Sequence, residues 1–292
     1  MPWIFVLLWS TGFIGARLVV GDADPLAILT VRFALAGLCA LVIVAFTRSQ
    51  WMGWHMAGHV AVVGVLLHGI YLGGVFWSVA EGLPTGVSAL IVGLQPIVTA
   101  CLVGALLGER VARLQWLGFA AGLVGIALVL WERLAIGGVS FGAVALSFVA
   151  LVGITAGALY QKRFCTGVAI WPAAVVQYAA ATVVVGVGSL AFEEAHIEWT
   201  AKVIGGLAWM VFVLSIGAVS LLMLVIRRSS AAQTASLLYL TPPLAALEAY
   251  LVFGEELHLL AIIGLVVAAL GVFLVLRGDP GRQPPATDRP VA

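Results

Sequence analysis

In the last third of the chain, Thr234, Thr241, Glu248 and Glu255 recur at seven-residue spacing along an apolar run. Seven residues return to nearly the same helix face, with a drift of about 20° per step. A helix there presents one polar stripe. Glu248 is the only acid deep in such a run. A carboxyl group at that depth has two uses: kept neutral it shuttles a proton, and kept charged it needs a cation or a substrate amine. Half the 292-residue length earlier stand Ser88, Gln95, Leu102 and Glu109, a matching stripe broken at Leu102. Ser88 and Thr234 suit helix-to-helix hydrogen bonding. Gln95 and Thr241 suit the lining of a solute path.

Each stripe carries a proline, Pro96 in one and Pro242 in the other. A proline within a helix removes a backbone bond and kinks it, and the freed carbonyls need a cavity or water. Both prolines are candidate hinges of gating helices, with a static kink as the alternative. Arg32 lies about 11 Å inside its apolar run at 1.5 Å per residue. It is expected to hold helix ends together, the other use being to attract a carboxylate. Pro96, Pro242, Glu248 and Arg32 form the candidate gating or coupling set. His68 and Tyr71 are three apart and share a helix face, as do Trp9 and Phe13. The candidate substrate-binding set is Trp9, Phe13, His68, Tyr71, Gln95, Tyr160, Trp209, Tyr239 and Thr241, with Tyr178 as a further aromatic. Trp51, Trp54, Trp116, Trp131 and Trp199 fall near run ends, where an interfacial belt is expected.

No pattern for covalent chemistry accompanies these groups. An intramembrane protease needs paired aspartates, a serine–histidine pair or zinc ligands. The four aspartates lie in connecting segments or in the C-terminal tail, and neither HExxH nor GxxxxGK[ST] occurs. The expectation is a protein that is not an enzyme, with no catalytic residue, cofactor or metal. Cys39, Cys101 and Cys165 are expected to be small buried residues.

The elements that must hold these residues follow from composition. Hydrophobic types make up 63% of the chain and charged types 9%. Soluble domains run at about 45–50% apolar and about 25% charged. Lipid is therefore the solvent for most of the chain, and the bilayer is an expected partner. A net charge of +1 leaves no basic face for nucleic acid. A membrane helix needs about 20 mostly apolar residues. Ten stretches qualify: Pro2–Val20, Leu26–Phe46, Met56–Ala80, Thr85–Leu107, Leu114–Trp131, Phe141–Gln161, Trp171–Phe192, Val203–Ile226, Ala231–Phe253 and Leu259–Leu276. The first is expected to be a retained helix rather than a signal peptide. Residues 278–292, rich in proline, read as a disordered cytoplasmic tail. Arg48, Arg110, Arg113, Lys162, Arg163, Arg227, Arg228, Arg277, Arg282 and Arg289 sort to one side of the membrane. Only Arg17, Arg133 and Lys202 sort to the other, together with most acids. Both termini are therefore expected in the cytoplasm.

Leu94-Gln95-Pro96 matches Leu240-Thr241-Pro242, Gly108-Glu109 matches Gly254-Glu255, Gly118 matches Gly264, and Gly125 matches Gly271. Each pair is separated by half the chain. The fold class is thus an all-α integral membrane protein of ten transmembrane helices, built as two five-helix repeats over residues 1–138 and 139–277. Because five is odd, the second repeat is inverted, the architecture of secondary transporters.

Trp9-Ser10-Thr11-Gly12-Phe13, Arg17, Arg32-Phe33, Leu94-Gln95-Pro96, Gly108-Glu109-Arg110 and the glycines of the fifth span resemble the EamA-type transporters of the drug/metabolite transporter superfamily. The resemblance covers all ten spans and implies export of amino acids or other small metabolites. The expected function is alternating-access export of small amphipathic solutes, amino acids foremost and aromatic ones among them, across the cytoplasmic membrane. A monomer is expected. The alternatives are a multidrug exporter of flat lipophilic cations, with Glu248 as counter-charge, and a substrate-gated channel.

Overall fold

The computed structural model describes residues 2–99, 102, 113–135, 139–221, 241–255 and 259–277. Among them the helices are α1 Pro2–Val19, α2 Pro25–Thr47, α3 Trp54–Ala80, α4 Thr85–Thr99, α5 Arg113–Ala135, α6 Phe141–Phe164, α7 Ile170–Phe192, α8 Ala201–Leu221, α9 Thr241–Phe253 and α10 Leu259–Arg277. Where both ends of a predicted span fall on described residues, the helix agrees to within about one turn. Five helices, α2, α3, α6, α7 and α8, are each long and apolar enough to cross a bilayer, and α1, α4, α5 and α10 contain shorter apolar stretches. The outward faces of α2, α7 and α9 expose Phe46 at 85%, Leu190 at 80% and Leu251 at 70%. Apolar surface on that scale is stable against hydrocarbon and not against water. Helices satisfy their own backbone groups, which lipid requires.

The connections among the described residues are short, and side chains cap the starts of α6 and α8. Ser140 Oγ accepts from Ala143 N at 3.0 Å at the start of α6, and Thr200 Oγ1 accepts from Val203 N at 3.2 Å at the start of α8. These satisfy amide groups that a first helical turn leaves open. Gly82, at φ +89°, turns the chain between α3 and α4.

The glycines that betray the duplication form the seam between the two halves. A Cβ at Gly125 would lie 2.5 Å from the Gly264 carbonyl oxygen, and one at Gly264 would lie 2.6 Å from the Gly125 carbonyl oxygen. A Cβ at Gly271 would lie 2.6 Å from the Gly118 carbonyl oxygen. So Gly125 meets the repeat counterpart of Gly118, and Gly118 meets the counterpart of Gly125. That reciprocal pairing is what a two-fold axis between α5 and α10 produces. The backbones approach closely because nothing but hydrogen projects between them. At a second crossing, α4 meets α9: a Cβ at Gly93 would lie 2.6 Å from Pro242 Cγ, and one at Gly86 would lie 3.0 Å from Ala246 Cβ. The two halves are inverted five-helix repeats packed on one another.

Candidate functional site

Two helices that border the bundle centre depart from regular α geometry at equivalent places. In α3, Val65–Ile70 form wide π turns, and in α8, Trp209–Ala218 do the same. Half the chain beyond Val65–Ile70 lies Val211–Ile216, within the second π segment. Wide turns of this kind interrupt the regular backbone ladder and are frequent at functional sites.

Between α1, α2, α3, α6, α7 and α8 is a cavity of about 240 Å³. Helix α1 supplies Trp9, Gly12 and Phe13, and α2 supplies Arg32. The π region of α3 and the turn after it supply Leu67, His68, Tyr71, Leu72 and Val75. Ile154, Tyr178, Leu214, Ser215 and Val219 complete the wall. At about 30 Å³ per water in the liquid, the space equals roughly eight waters, the scale of one small metabolite. Arg32 and Tyr178 are repeat counterparts, and both face this space. The duplicated backbone thus delivers an equivalent position from each half, while the side chains differ in charge.

Arg32 is 6% exposed. Its Nη2 lies 3.4 Å from Ser215 Oγ and its Nη1 3.8 Å from Met210 Sδ. The Tyr178 hydroxyl donates to the Ser215 carbonyl at 3.1 Å, and its ring stacks on Phe33 at 6.1 Å between centroids. His68 Nε2 is 3.3 Å from Gln177 Oε1, and its ring lies 4.8 Å from that of Tyr178. These contacts fix the ring walls of the cavity around one guanidinium.

Trp9, Phe13, His68, Tyr71 and Arg32 therefore converge, and other sequence candidates lie elsewhere. Tyr160 pairs through its hydroxyl with His59 Nδ1 at 2.8 Å, tying α6 to α3 away from the cavity wall. Trp209 is 42% exposed and donates from Nε1 to Thr11 Oγ1 at 3.0 Å. Gln95 is half-buried in α4 and not on the cavity wall. Thr241 is buried at the start of α9, and its hydroxyl has no partner among the described residues. Tyr239 lies outside the described residues, as do Thr234, Glu109 and Cys101. The regular helix of α4 is interrupted at Gly93-Leu94, just before Pro96. The missing donor of proline and its restriction on the preceding residue account for a break there. Pro242 is the second residue described in α9 and packs on Gly93. Among the described residues, no group of three or more histidine, cysteine or acidic side chains could hold a metal ion.

Glu248 lies 2.7 Å from Ser10 Oγ, which lies 2.9 Å from the Leu7 carbonyl oxygen. Ser10 Oγ thus has two acceptors for its one proton, and Glu248 Oε2 is buried with no hydrogen-bond partner among the described residues. Sequence reading had no signal for this contact, nor for Ser215. Serine within an apolar helix does not announce which neighbour it faces.

The bundle end carrying most acids is stitched across the halves. Ala23 and Ile197 form an antiparallel bridge, flanked by Asp24 N to His196 O at 2.9 Å and Glu198 N to Asp22 O at 2.8 Å. Lys202 Nζ is 2.9 Å from Asp22 Oδ2. The Glu193 carboxylate accepts from Leu26 N at 2.9 Å and Ala27 N at 3.0 Å, capping α2. Glu255 accepts from Thr85 Oγ1 at 2.9 Å at the start of α4. Hydrogen bonding and charge from Lys202 hold the Asp22 carboxyl below its ordinary range. The lowered value means that this contact is present at neutral pH and is lost as pH falls through that value.

An apolar helical bundle with inverted halves and a polar-cornered central cavity is the form of a membrane carrier. The profile of the EamA-like transporter family matches residues 3–131 and 141–277, one match for each half. The chain belongs to that family and is a multi-pass membrane transporter. It is similar to YedA, an uncharacterized inner membrane transporter of Escherichia coli, at 26% identity over 93% of this chain and 88% of the relative. It is 32% identical to an uncharacterized transporter of Synechocystis over 42% of this chain and 37% of that one. A solved crystal structure shares the fold at a TM-score of 0.65, with 18% identity and 94% of each chain covered.

Proposed function

We propose that this transporter exports small amphipathic metabolites, amino acids with aromatic or apolar side chains foremost, across the inner membrane by alternating access. The observation that carries this reading is the central cavity enclosed by helices of both halves, with the acidic end stitched half to half. Rocking one half against the other would part those stitches and expose the cavity to that side. A lipophilic cation would need a counter-charge, and Glu248 is engaged by Ser10 and absent from the cavity wall. The test is uptake into liposomes holding the purified protein, with a panel of labelled amino acids set against lipophilic cations. Saturable uptake of apolar and aromatic amino acids supports the proposal, and uptake of the cations alone overturns it.

The proposal includes cytoplasmic termini and an external acidic end, on the asymmetry of basic residues between the two sets of connections. In a background freed of native cysteines, Glu194→Cys is expected to react with an impermeant maleimide added to intact cells, and Arg48→Cys to stay unlabelled until the cells are opened. The reverse pattern inverts the orientation and with it the direction of export.

Transport is expected to be facilitated rather than proton-driven. A working proton path at depth shows more than one titratable group, and Glu248 has a leucine, Leu102, as its repeat counterpart. Glutamine keeps the shape of the carboxyl group and an oxygen that accepts from Ser10 Oγ. Glu248→Gln is therefore expected to keep exchange within about twofold, the scale of a neutral hydrogen bond rearranged. Uphill accumulation driven by an imposed pH gradient, and lost in Glu248→Gln, would make Glu248 the coupling residue instead.

A further inference from the structure

We propose that the central cavity captures its solute by a carboxylate, which the Arg32 guanidinium binds, while the apolar body of the solute lies against Trp9, Phe13 and Tyr71. The inference rests on the transport reading above and names its substrate class. That class is small organic acids bearing an apolar or aromatic group, with an amine tolerated but not required.

Arg32 is buried and underused. A guanidinium has five N–H donors in a rigid fork. Its neighbours here are a long contact to Ser215 Oγ at 3.4 Å and a thioether sulfur at 3.8 Å, which is a weak acceptor. Its buried Nε has no partner among the described residues. Phe33 and Phe76 lie 5.8 and 6.0 Å from the guanidinium carbon, giving only cation–π support. The ion pairs found among the described residues are Lys202 with Asp22 and His196 with Glu198, neither involving Arg32. An uncompensated cation at membrane depth is costly, so a partner that arrives with the solute is strongly favoured.

The surrounding chemistry says which partner. The fork of a guanidinium matches the two oxygens of a carboxylate. Ser215 stands beside it with a hydroxyl able to donate to the same group, while its carbonyl is already taken by Tyr178. Among the described residues, the rest of the wall is mainly apolar and aromatic and includes no acidic side chain. A solute amine therefore meets no opposite charge on the described wall, whereas a carboxylate meets one.

The test is calorimetric titration of the purified full chain with three probes that share a phenethyl group: 3-phenylpropionate, its isosteric neutral amide 3-phenylpropanamide, and phenethylamine. The acid is expected to bind about 10- to 100-fold more tightly than the amide, the range for hydrogen bonds to a charged group, and the amine most weakly. Arg32→Gln should erase the preference for the acid, and Arg32→Lys should restore part of it. The comparison of probes on the unaltered protein stands even if Arg32→Gln fails to fold. Equal or tighter binding of the amide or the amine overturns the proposal, and so does binding of none of the three. Arg32-dependent binding of the acid without any exchange in liposomes would sink the transport reading and leave the carboxylate site standing. Saturable exchange of phenylalanine with no preference for the acid over the amide would do the opposite.

Discussion

Oxidation of the double variant Ala23→Cys/Ile197→Cys is expected to stop solute exchange in liposomes, and dithiothreitol to restore it. The flanking hydrogen bonds, Asp24 N to His196 O and Glu198 N to Asp22 O, make Ala23 and Ile197 a non-hydrogen-bonded antiparallel pair. Such pairs hold their Cα atoms about 4.5 Å apart, within the span that a disulfide bridges without moving the backbone. The bond would join the α1–α2 connection of one half to the α7–α8 connection of the other. A carrier that opens at this end must part those connections in every cycle. The oxidised variant should thus fall to the background of empty vesicles, while the reduced variant and each single variant keep exchange. The native cysteines are replaced first so that no other bond contributes. Undiminished exchange in the fully oxidised protein would show that this end does not open.

Gly125→Ala is expected to destabilise the protein, and Gly205→Ala to leave it as stable or make it more so. In a helix alanine is favoured over glycine by about 1 kcal/mol wherever there is room for a methyl group. A Cβ at Gly205 finds nothing within 4 Å. A Cβ at Gly125 would fall 2.5 Å from Gly264 O and 2.6 Å from Ala268 N, both backbone atoms that cannot swing aside. The helices α5 and α10 must separate to admit it, and overpacking of this kind costs about 1–3 kcal/mol. The two substitutions are chemically identical, so opposite shifts of the melting temperature in detergent isolate the seam. Equal shifts would mean that α5 and α10 do not meet through these glycines.

The span pattern was legible because hydrocarbon imposes one requirement, about twenty apolar residues per crossing, on every helix. The repeat was legible because a close backbone crossing leaves glycine no substitute, so Gly118, Gly125, Gly264 and Gly271 kept the trace of duplication. Which face each helix turns inward was far less legible. In a soluble helix a polar stripe marks the outside. Here lipid and protein interior are both apolar, so Tyr160 and Tyr71 look alike in sequence although one joins His59 and the other lines the cavity. The stripe of α4 and α9 pointed to Gln95 and Thr241 for the solute path, yet the cavity lies between α1, α2, α3, α6, α7 and α8. Its polar corner, Arg32 with Ser215, joins residues from opposite halves of the chain. The π turns of α3 and α8 had no sequence signal. In α3 they pack closely on Gly153 of α6, where a Cβ would lie 2.9 Å from Tyr71 N and 3.1 Å from the Leu66 carbonyl oxygen.

The central claim, alternating access through this cavity, is tested most directly by counterflow. Liposomes holding the purified protein are loaded with unlabelled phenylalanine and diluted into a trace of the labelled compound. A carrier that exposes one site to each side in turn is expected to give transient accumulation of label above equilibrium, with an initial rate that saturates as the outer concentration rises. Entry that is linear in concentration and unaffected by the internal load would contradict the account and describe a channel.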